Sequence, residues 1–177
     1  MKKIVCLVAL AGAFWGSNGL AAKILDSSRV GFTIYHQVEV KASAAEAYTA
    51  FVERIGEWWE SSHTYSGNAA NMSIHPVVGG CLCEALPDGG HVRHLDVVYV
   101  APGQSVRFVG GLGPLEAMAA NGSSMGWTFT PLEGGGTRIE LTYIVSGYSP
   151  KGMASMAAPV DGVLGTQVAG LAKLLGT

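Results

Sequence analysis

Two cysteines, a histidine and an aspartate carry the chemistry most worth weighing in this sequence: Cys81, Cys83, His94 and Asp96. Pro87-Asp88-Gly89-Gly90 lies between them, and Asp-Gly accepts the positive φ values of a type I′ hairpin turn. With Asp88-Gly89 as a two-residue loop, Cys81 faces Asp96, Cys83 faces His94 and Glu84 faces Arg93. The four residues then share one face with Val92, Val98 and Val100. Two thiols, an imidazole and a carboxylate are donors suited to zinc or copper. Strands ~4.8 Å apart, with same-face residues ~6.7 Å apart, nevertheless make a square that converges poorly on one ion. The plainer alternative is an apolar wall in which each cysteine acts as a small hydrophobe and His94 donates to Asp96. The i, i+2 spacing also argues against a disulfide between Cys81 and Cys83, whose β-carbons on one strand face lie too far apart.

An imidazole held by a carboxylate suits general-base chemistry, yet no nucleophile stands beside this one. Gly122-Ser123-Ser124-Met125-Gly126 has the letters of G-x-S-x-G. The strand pattern Trp127-Thr128-Phe129-Thr130 follows it, where a nucleophile elbow needs a helix. Gly110-Gly111-Leu112-Gly113 lacks the Lys and Ser/Thr of a phosphate loop. It reads as the start of a mobile segment, 110–123, able to cover a cavity. Glu84 opposite Arg93 reads as an ion pair on the outer face, and His36, among apolar alternates, as a satisfied core histidine. His75 and His91 read as outward. Adjacent Trp58 and Trp59 point in different directions, one inward and one toward a rim. His63 and Tyr65 sit on the polar loop 61–71, open to a binding role or to plain solvation.

The elements that must position these residues follow from periodicity. Val30 to Val40 alternates, with Val30, Phe32, Ile34, His36, Val38 and Val40 on one face, and reads as a half-buried strand. Ser43-Ala44-Ala45-Glu46 is a capping box opening a helix over about 44–54. From Met72 the period is two. A second hairpin turns at Gly134-Gly135-Gly136, pairing Trp127 with Tyr143 and Phe129 with Leu141 on an aromatic face. Beyond Pro150 an apolar stripe from Met153 to Leu175 predicts a long helix, which Pro159 kinks or restarts. The order strand, helix, about six strands, helix is α+β, an antiparallel sheet covering a terminal helix.

Composition narrows the field. The 177 residues are 49% hydrophobic and only 14% charged, with 25 Gly and a net charge of −2. The length suits one domain, the apolar content excludes a disordered chain, and no basic patch supports nucleic-acid binding. The first 21 residues read as a bacterial signal peptide: Lys2 and Lys3, an apolar run from Ile4 to Trp15, then Gly19 and Ala21 at the −3 and −1 positions. The 12-residue run falls short of the ~20 needed to span a bilayer. Cleavage after Ala21 leaves residues 22–177 as an exported chain, periplasmic or secreted, with no stable membrane insertion.

Four stretches stand out, Ala44-Ala45-Glu46-Ala47-Tyr48-Thr49-Ala50-Phe51, Ile55-Gly56-Glu57-Trp58-Trp59, Gly79-Gly80-Cys81-Leu82-Cys83-Glu84 and Gly110-Gly111-Leu112-Gly113-Pro114-Leu115. They resemble the helix-grip fold of the SRPBCC superfamily, which unites START and birch-pollen-allergen (Bet v 1-like) proteins. Gly147-Tyr148 and Val160-Asp161-Gly162-Val163-Leu164 extend the likeness, which is nearest to the bacterial branch related to the C-terminal domain of activators of Hsp90 ATPase. The resemblance implies a curved sheet of about seven strands around a long C-terminal helix, enclosing an apolar cavity. It places the face of Cys81, Cys83, His94 and Asp96 toward that cavity. The resemblance does not name a reaction; low charge, an apolar inner face with a few polar groups and a glycine-rich segment able to open point to binding of a small hydrophobic molecule or lipid without chemistry, in a site made by Trp58, Trp59, His63, Tyr65, Cys83, His94, Asp96, Trp127, Phe129 and Tyr143. No catalytic residue, cofactor or metal is assigned. The alternatives are a cyclase- or hydratase-like enzyme using His94 and Asp96, a metal-binding variant of the four-residue cluster, and a solid core filled by Met125, Met153 and Met156.

Overall fold

The computed structural model describes residues 21–177; the expected signal peptide lies almost wholly outside them. Strand β1 (Ala21–Ser27) pairs with β2 (Gly31–Val40), and helix α1 (Ala44–Glu53) and the single turn α2 (Ile55–Trp58) follow. Strands β3 (Met72–Ile74), β4 (Cys81–Ala85), β5 (His91–Ala101), β6 (Ser105–Val109), β7 (Ser124–Pro131) and β8 (Thr137–Ser146) lead to helix α3 (Ala154–Leu175). The sheet is antiparallel, in the order β1-β2-β8-β7-β6-β5-β4-β3. It has eight strands where the sequence predicts about seven. The extra one, β1, is exposed along its whole length and shifts register between Ile24 and Asp26, so no buried face writes a period of two into its sequence.

Local chemistry explains the elements. Ser43 Oγ accepts from Glu46 N–H while the Glu46 carboxylate accepts from Ser43 N–H, the expected capping box. The buried face of β2 is Phe32, Ile34, His36, Val38 and Val40 as expected, but Val30 lies before the strand and is exposed. Beside it in the sheet, Trp127 of β7 faces Leu141 of β8 and Phe129 faces Ile139. That is two residues from the expected pairing, because the β7–β8 loop takes in Leu132 and Glu133 as well as the three glycines. A two-residue slip keeps every side chain on its face. Phe51, Trp58, Trp127 and Phe129 meet there at ring-centroid distances of 4.9–5.6 Å from Phe51, filling the centre between sheet and helices.

Helix α3 packs on β1, β2, α1 and α2, and Pro159 sits inside it. Gly170 permits the closest approach: a Cβ there would lie 2.2 Å from the Trp58 carbonyl oxygen. Gly170→Ala is therefore expected to destabilise the fold by about 1–3 kcal/mol despite alanine's better helix propensity, measured as a lowered urea midpoint at unchanged m-value.

His36, 1% exposed, stacks its edge over Gly165 and brings Nε2 within 3.0 Å of Asp161 Oδ1, out of line for a hydrogen bond. The expected satisfied core histidine is thus a close but unaligned pair. Burial holds its imidazole below the ordinary 6.5, against the opposing pull of Asp161. The unfolded chain then binds the proton more readily, so this contribution to stability is complete above pH 6.5 and is lost as pH falls toward the lowered value. Melting temperature is expected to drop on acidification from pH 6.5, with a flatter profile for His36→Gln.

Candidate functional site

The register of β4 and β5 decides the site. Asp88 (φ 59°) and Gly89 (φ 79°) form the expected turn. Pro87 has no N–H to give, so Leu86 N–H closes the hairpin onto Gly90. The pairs beyond it run one residue out of the expected step: Glu84 faces Val92 and Cys83 faces Arg93. A bulge between Leu82 and Cys83 then restores the step, so Leu82 faces Leu95 and Cys81 faces Asp96. Successive residues His94 and Leu95 both point inward across this bulge. A second irregularity, between Val97 and Tyr99, buries Val97 and leaves Val98 outside.

The expected square of Cys81, Cys83, His94 and Asp96 is therefore split. Asp96 is on the outer face, where it pairs with Arg93. His94 and Glu84 are inside, with side chains 4% and 0% exposed, and His94 Nε2 lies 3.0 Å from Glu84 Oε2. Glu84 is thus the partner of His94, correcting both the expected Glu84–Arg93 ion pair and the expected His94–Asp96 pair. Cys81 and Cys83 are joined to each other as a disulfide, correcting the expectation of free thiols. Their Cα atoms are 5.4 Å apart, within bridging range and shorter than the ~6.7 Å of a regular strand. The ladder irregularity falls between them. Among the described residues no group of three His, Cys, Asp or Glu could hold a metal.

Glu84 also ties down the loop after α2. Its carboxylate accepts from the backbone N–H groups of Tyr65 and Ser66 as well as from His94. Burial alone would push this carboxyl up, but the bonds from Ser66, Tyr65 and His94 together outweigh it and hold the group below the ordinary carboxylate range. The Tyr65 ring lies nearly parallel to His94, 10° between planes and 5.8 Å between centroids. On the other wall, fully buried Gln167 of α3 accepts from Glu60 N–H at 2.7 Å and donates to Val163 O at 3.0 Å and His63 Nδ1 at 2.8 Å. That amide orientation makes His63 Nδ1 an acceptor and puts its ring proton on Nε2. Trp59 Nε1 donates to His63 O at 3.1 Å.

Between these walls lies a pocket of about 320 Å³. Trp59, His63, Tyr65 and His94 line it, with Leu112, Pro114 and Leu115 from the glycine-rich segment and Met156, Pro159, Val160 and Val163 from α3. The segment 110–123, expected to be mobile, is built of short 3-10 turns. It is pinned by the Tyr143 hydroxyl, which donates to Gly110 O at 2.9 Å and accepts from Leu112 N–H at 3.0 Å. Burial pushes the Tyr143 phenol up to about 12, so it remains a neutral clamp.

Of the ten expected site residues the pocket gathers Trp59, His63, Tyr65 and His94. Trp58, Trp127 and Phe129 belong to the aromatic core, Tyr143 stands behind the segment it pins, and Cys83 and Asp96 face outward. Met125 and Met153 are core residues, while Met156 lines the pocket. Glu84 and Gln167 are the residues missed. A carboxylate next to a predicted inward strand position was the signal for the first; nothing marked the second. Among the described residues no helix is long and apolar enough to cross a membrane.

No protein-family model and no curated protein matches the chain. Solved structures do. Protein MLL2253 from Mesorhizobium loti is 18% identical, with a TM-score of 0.58 over 81% of this chain and 96% of that one. The Aha1 dimer of Colwellia psychrerythraea is 19% identical, with a TM-score of 0.57 over 81% and 95%. The di-domain ARO/CYC protein StfQ of the steffimycin biosynthetic pathway is 12% identical, with a TM-score of 0.55 over 83% of this chain and 51% of that one. At such identities the likeness concerns architecture. A curved antiparallel sheet gripping a long C-terminal helix, shared with these proteins, makes this chain an α+β protein of the helix-grip fold.

Proposed function

We propose that this protein binds a small hydrophobic molecule in the pocket between α3, the 110–118 segment and the Trp59–Tyr65 loop. The observation that carries the reading is the pocket itself: walls of Leu, Pro, Met, Val and Trp, with Ser62, Thr64 and Tyr65 at the loop side and two histidines, each fixed by a buried partner. Ligand sites are commonly apolar clefts of ~300–1,000 Å³ with a few placed polar groups. The fold shared with the ARO/CYC protein StfQ of the steffimycin biosynthetic pathway is consistent with an organic ligand. A pocket of about 320 Å³ suits a small cargo.

Export through the N-terminal signal is part of the same proposal. The Cys81–Cys83 disulfide supports it, since disulfides persist in oxidising compartments. Cleavage after Ala21 would leave the β1–β2 pairs from Ala22–His36 onward in place. Intact mass of protein recovered from a bacterial host distinguishes a chain starting at Ala22 from one starting at Met1.

The test of binding is a fluorescence titration with 1-anilinonaphthalene-8-sulfonate. Saturable one-site enhancement is expected, and Val160→Trp, which fills the pocket from α3, is expected to weaken it at least about tenfold. Enhancement unchanged in a folded Val160→Trp variant would put the dye elsewhere and overturn the reading.

A further inference from the structure

The geometry points to a ligand that carries a hydrogen-bond donor, a phenol-like hydroxyl on an apolar body, delivered to Nδ1 of His94. This rests on the pocket reading above and specifies what the pocket selects.

Three observations carry it. His94 lines the pocket, is 6% exposed, and its Nδ1 has no hydrogen-bond partner. Its other nitrogen is committed: Nε2 meets Glu84, whose carboxylate already serves as acceptor for Tyr65 N–H and Ser66 N–H. A group holding two backbone donors accepts from the imidazole as well, so the ring proton resides on Nε2 and Nδ1 presents a lone pair. A buried polar atom left unpaired costs free energy that a ligand donor recovers. The rest of the pocket wall is mostly apolar, which restricts the ligand to few polar groups.

Access to Nδ1 runs past Tyr65. Its ring stacks on His94, it is 58% exposed, and its hydroxyl makes no hydrogen bond among the described residues. An exposed aromatic side chain without a polar anchor rotates at little cost. The incoming ring of the ligand can then take the stacking position that Tyr65 holds, while its hydroxyl reaches the nitrogen. His63, with its proton on Nε2, offers a donor on the opposite wall. A hydroxyl supplies the donor that His94 Nδ1 lacks, which an ether or a carbonyl does not.

The experiment displaces 1-anilinonaphthalene-8-sulfonate at pH 8 with three neutral probes of nearly equal size: 1-naphthol, 1-methoxynaphthalene and naphthalene. The expected result is about tenfold tighter binding of 1-naphthol than of the ether, the discrimination set by one buried hydrogen bond. Glu84→Gln is the diagnostic variant. With its amide oxygen on Ser66 N–H, its NH2 group gives up the Tyr65 N–H bond that Oε2 accepted and donates to His94 Nε2 instead, moving the ring proton to Nδ1, a shift that nitrogen-15 NMR of the variant reads. In that variant the naphthol preference is expected to vanish and binding of 1-tetralone, an acceptor, to improve. Nitrogen-15 NMR of the wild-type ring reads the tautomer directly, whatever the variant does to folding. Equal displacement by all three probes, or a protonated Nδ1 in the wild type, overturns the inference and leaves the pocket reading standing. Dye binding that no probe displaces overturns the pocket reading itself.

Discussion

Replacing Glu84 by alanine is expected to cost about 3–5 kcal/mol of stability. The side chain is fully buried and simultaneously satisfies Tyr65 N–H, Ser66 N–H and His94. Its removal strands three polar groups in the interior, each an unpaid desolvation of about 1–3 kcal/mol that local relaxation only partly relieves. The measurement is equilibrium urea unfolding; a loss below about 1 kcal/mol would show that the Tyr65–Ser66 loop is held by something else. The same carboxylate predicts a pH dependence. Its folded-state pKa lies below the ordinary 4.5. Its contribution is therefore complete above that value and is lost as pH falls through the lowered one. This acid limb is distinct from that of His36, which begins near pH 6.5.

Trp127→Ala is expected to cost a similar amount, about 3–5 kcal/mol, because it leaves a cavity where Phe51 and Trp58 cannot close up. Trp127 is 2% exposed, with ring centroids 4.9 Å from Phe51 and 6.0 Å from Trp58. It is a core residue and not a pocket wall, so the folded fraction of the variant should bind 1-anilinonaphthalene-8-sulfonate as the wild type does. A stable Trp127→Ala protein that has lost dye binding would reverse that assignment. Trp59, whose indole lines the pocket and donates to His63 O, is the tryptophan expected to report ligand by a change in emission.

Both hairpins pair differently from the sequence reading, but only β4–β5 also exchanged its faces, and for a specific reason. A strict alternation of faces carries Cys81, Cys83, His94 and Asp96 to one side, and every step of that reading assumes two residues per repeat. The chain breaks the repeat twice: at Pro87, which has no N–H for the pair beside the turn, and at the bulge that lets His94 and Leu95 both point inward. Burying Leu82 against Leu95 decides where the bulge falls, for both belong to the apolar core. Once His94 turns inward, Glu84 is the carboxylate within reach, and Asp96 is left outside with Arg93. The disulfide follows from the same local departure from a regular pleat. Gln167 was hidden for a different reason. A polar residue on an apolar helical stripe looks like a solvent-facing position until the Glu60–His63 turn is seen docked on it.

By itself the sequence determined the elements and their faces: the capping box at Ser43, the alternation of β2, the Asp-Gly turn and the apolar stripe of α3 are local, and each is written within a few neighbouring residues. Those signals suffice for an α+β chain with one sheet and a terminal helix, because hydrophobic period and turn chemistry act over short distances. Tertiary packing decided which polar groups meet. Glu84 with His94, Gln167 with His63, and Tyr143 with the 110–112 backbone join residues 10, 104 and 31–33 positions apart. Such pairs form where burial leaves a polar atom no solvent to turn to, and the identity of the partner is then set by the register of strands and the approach of helix to sheet.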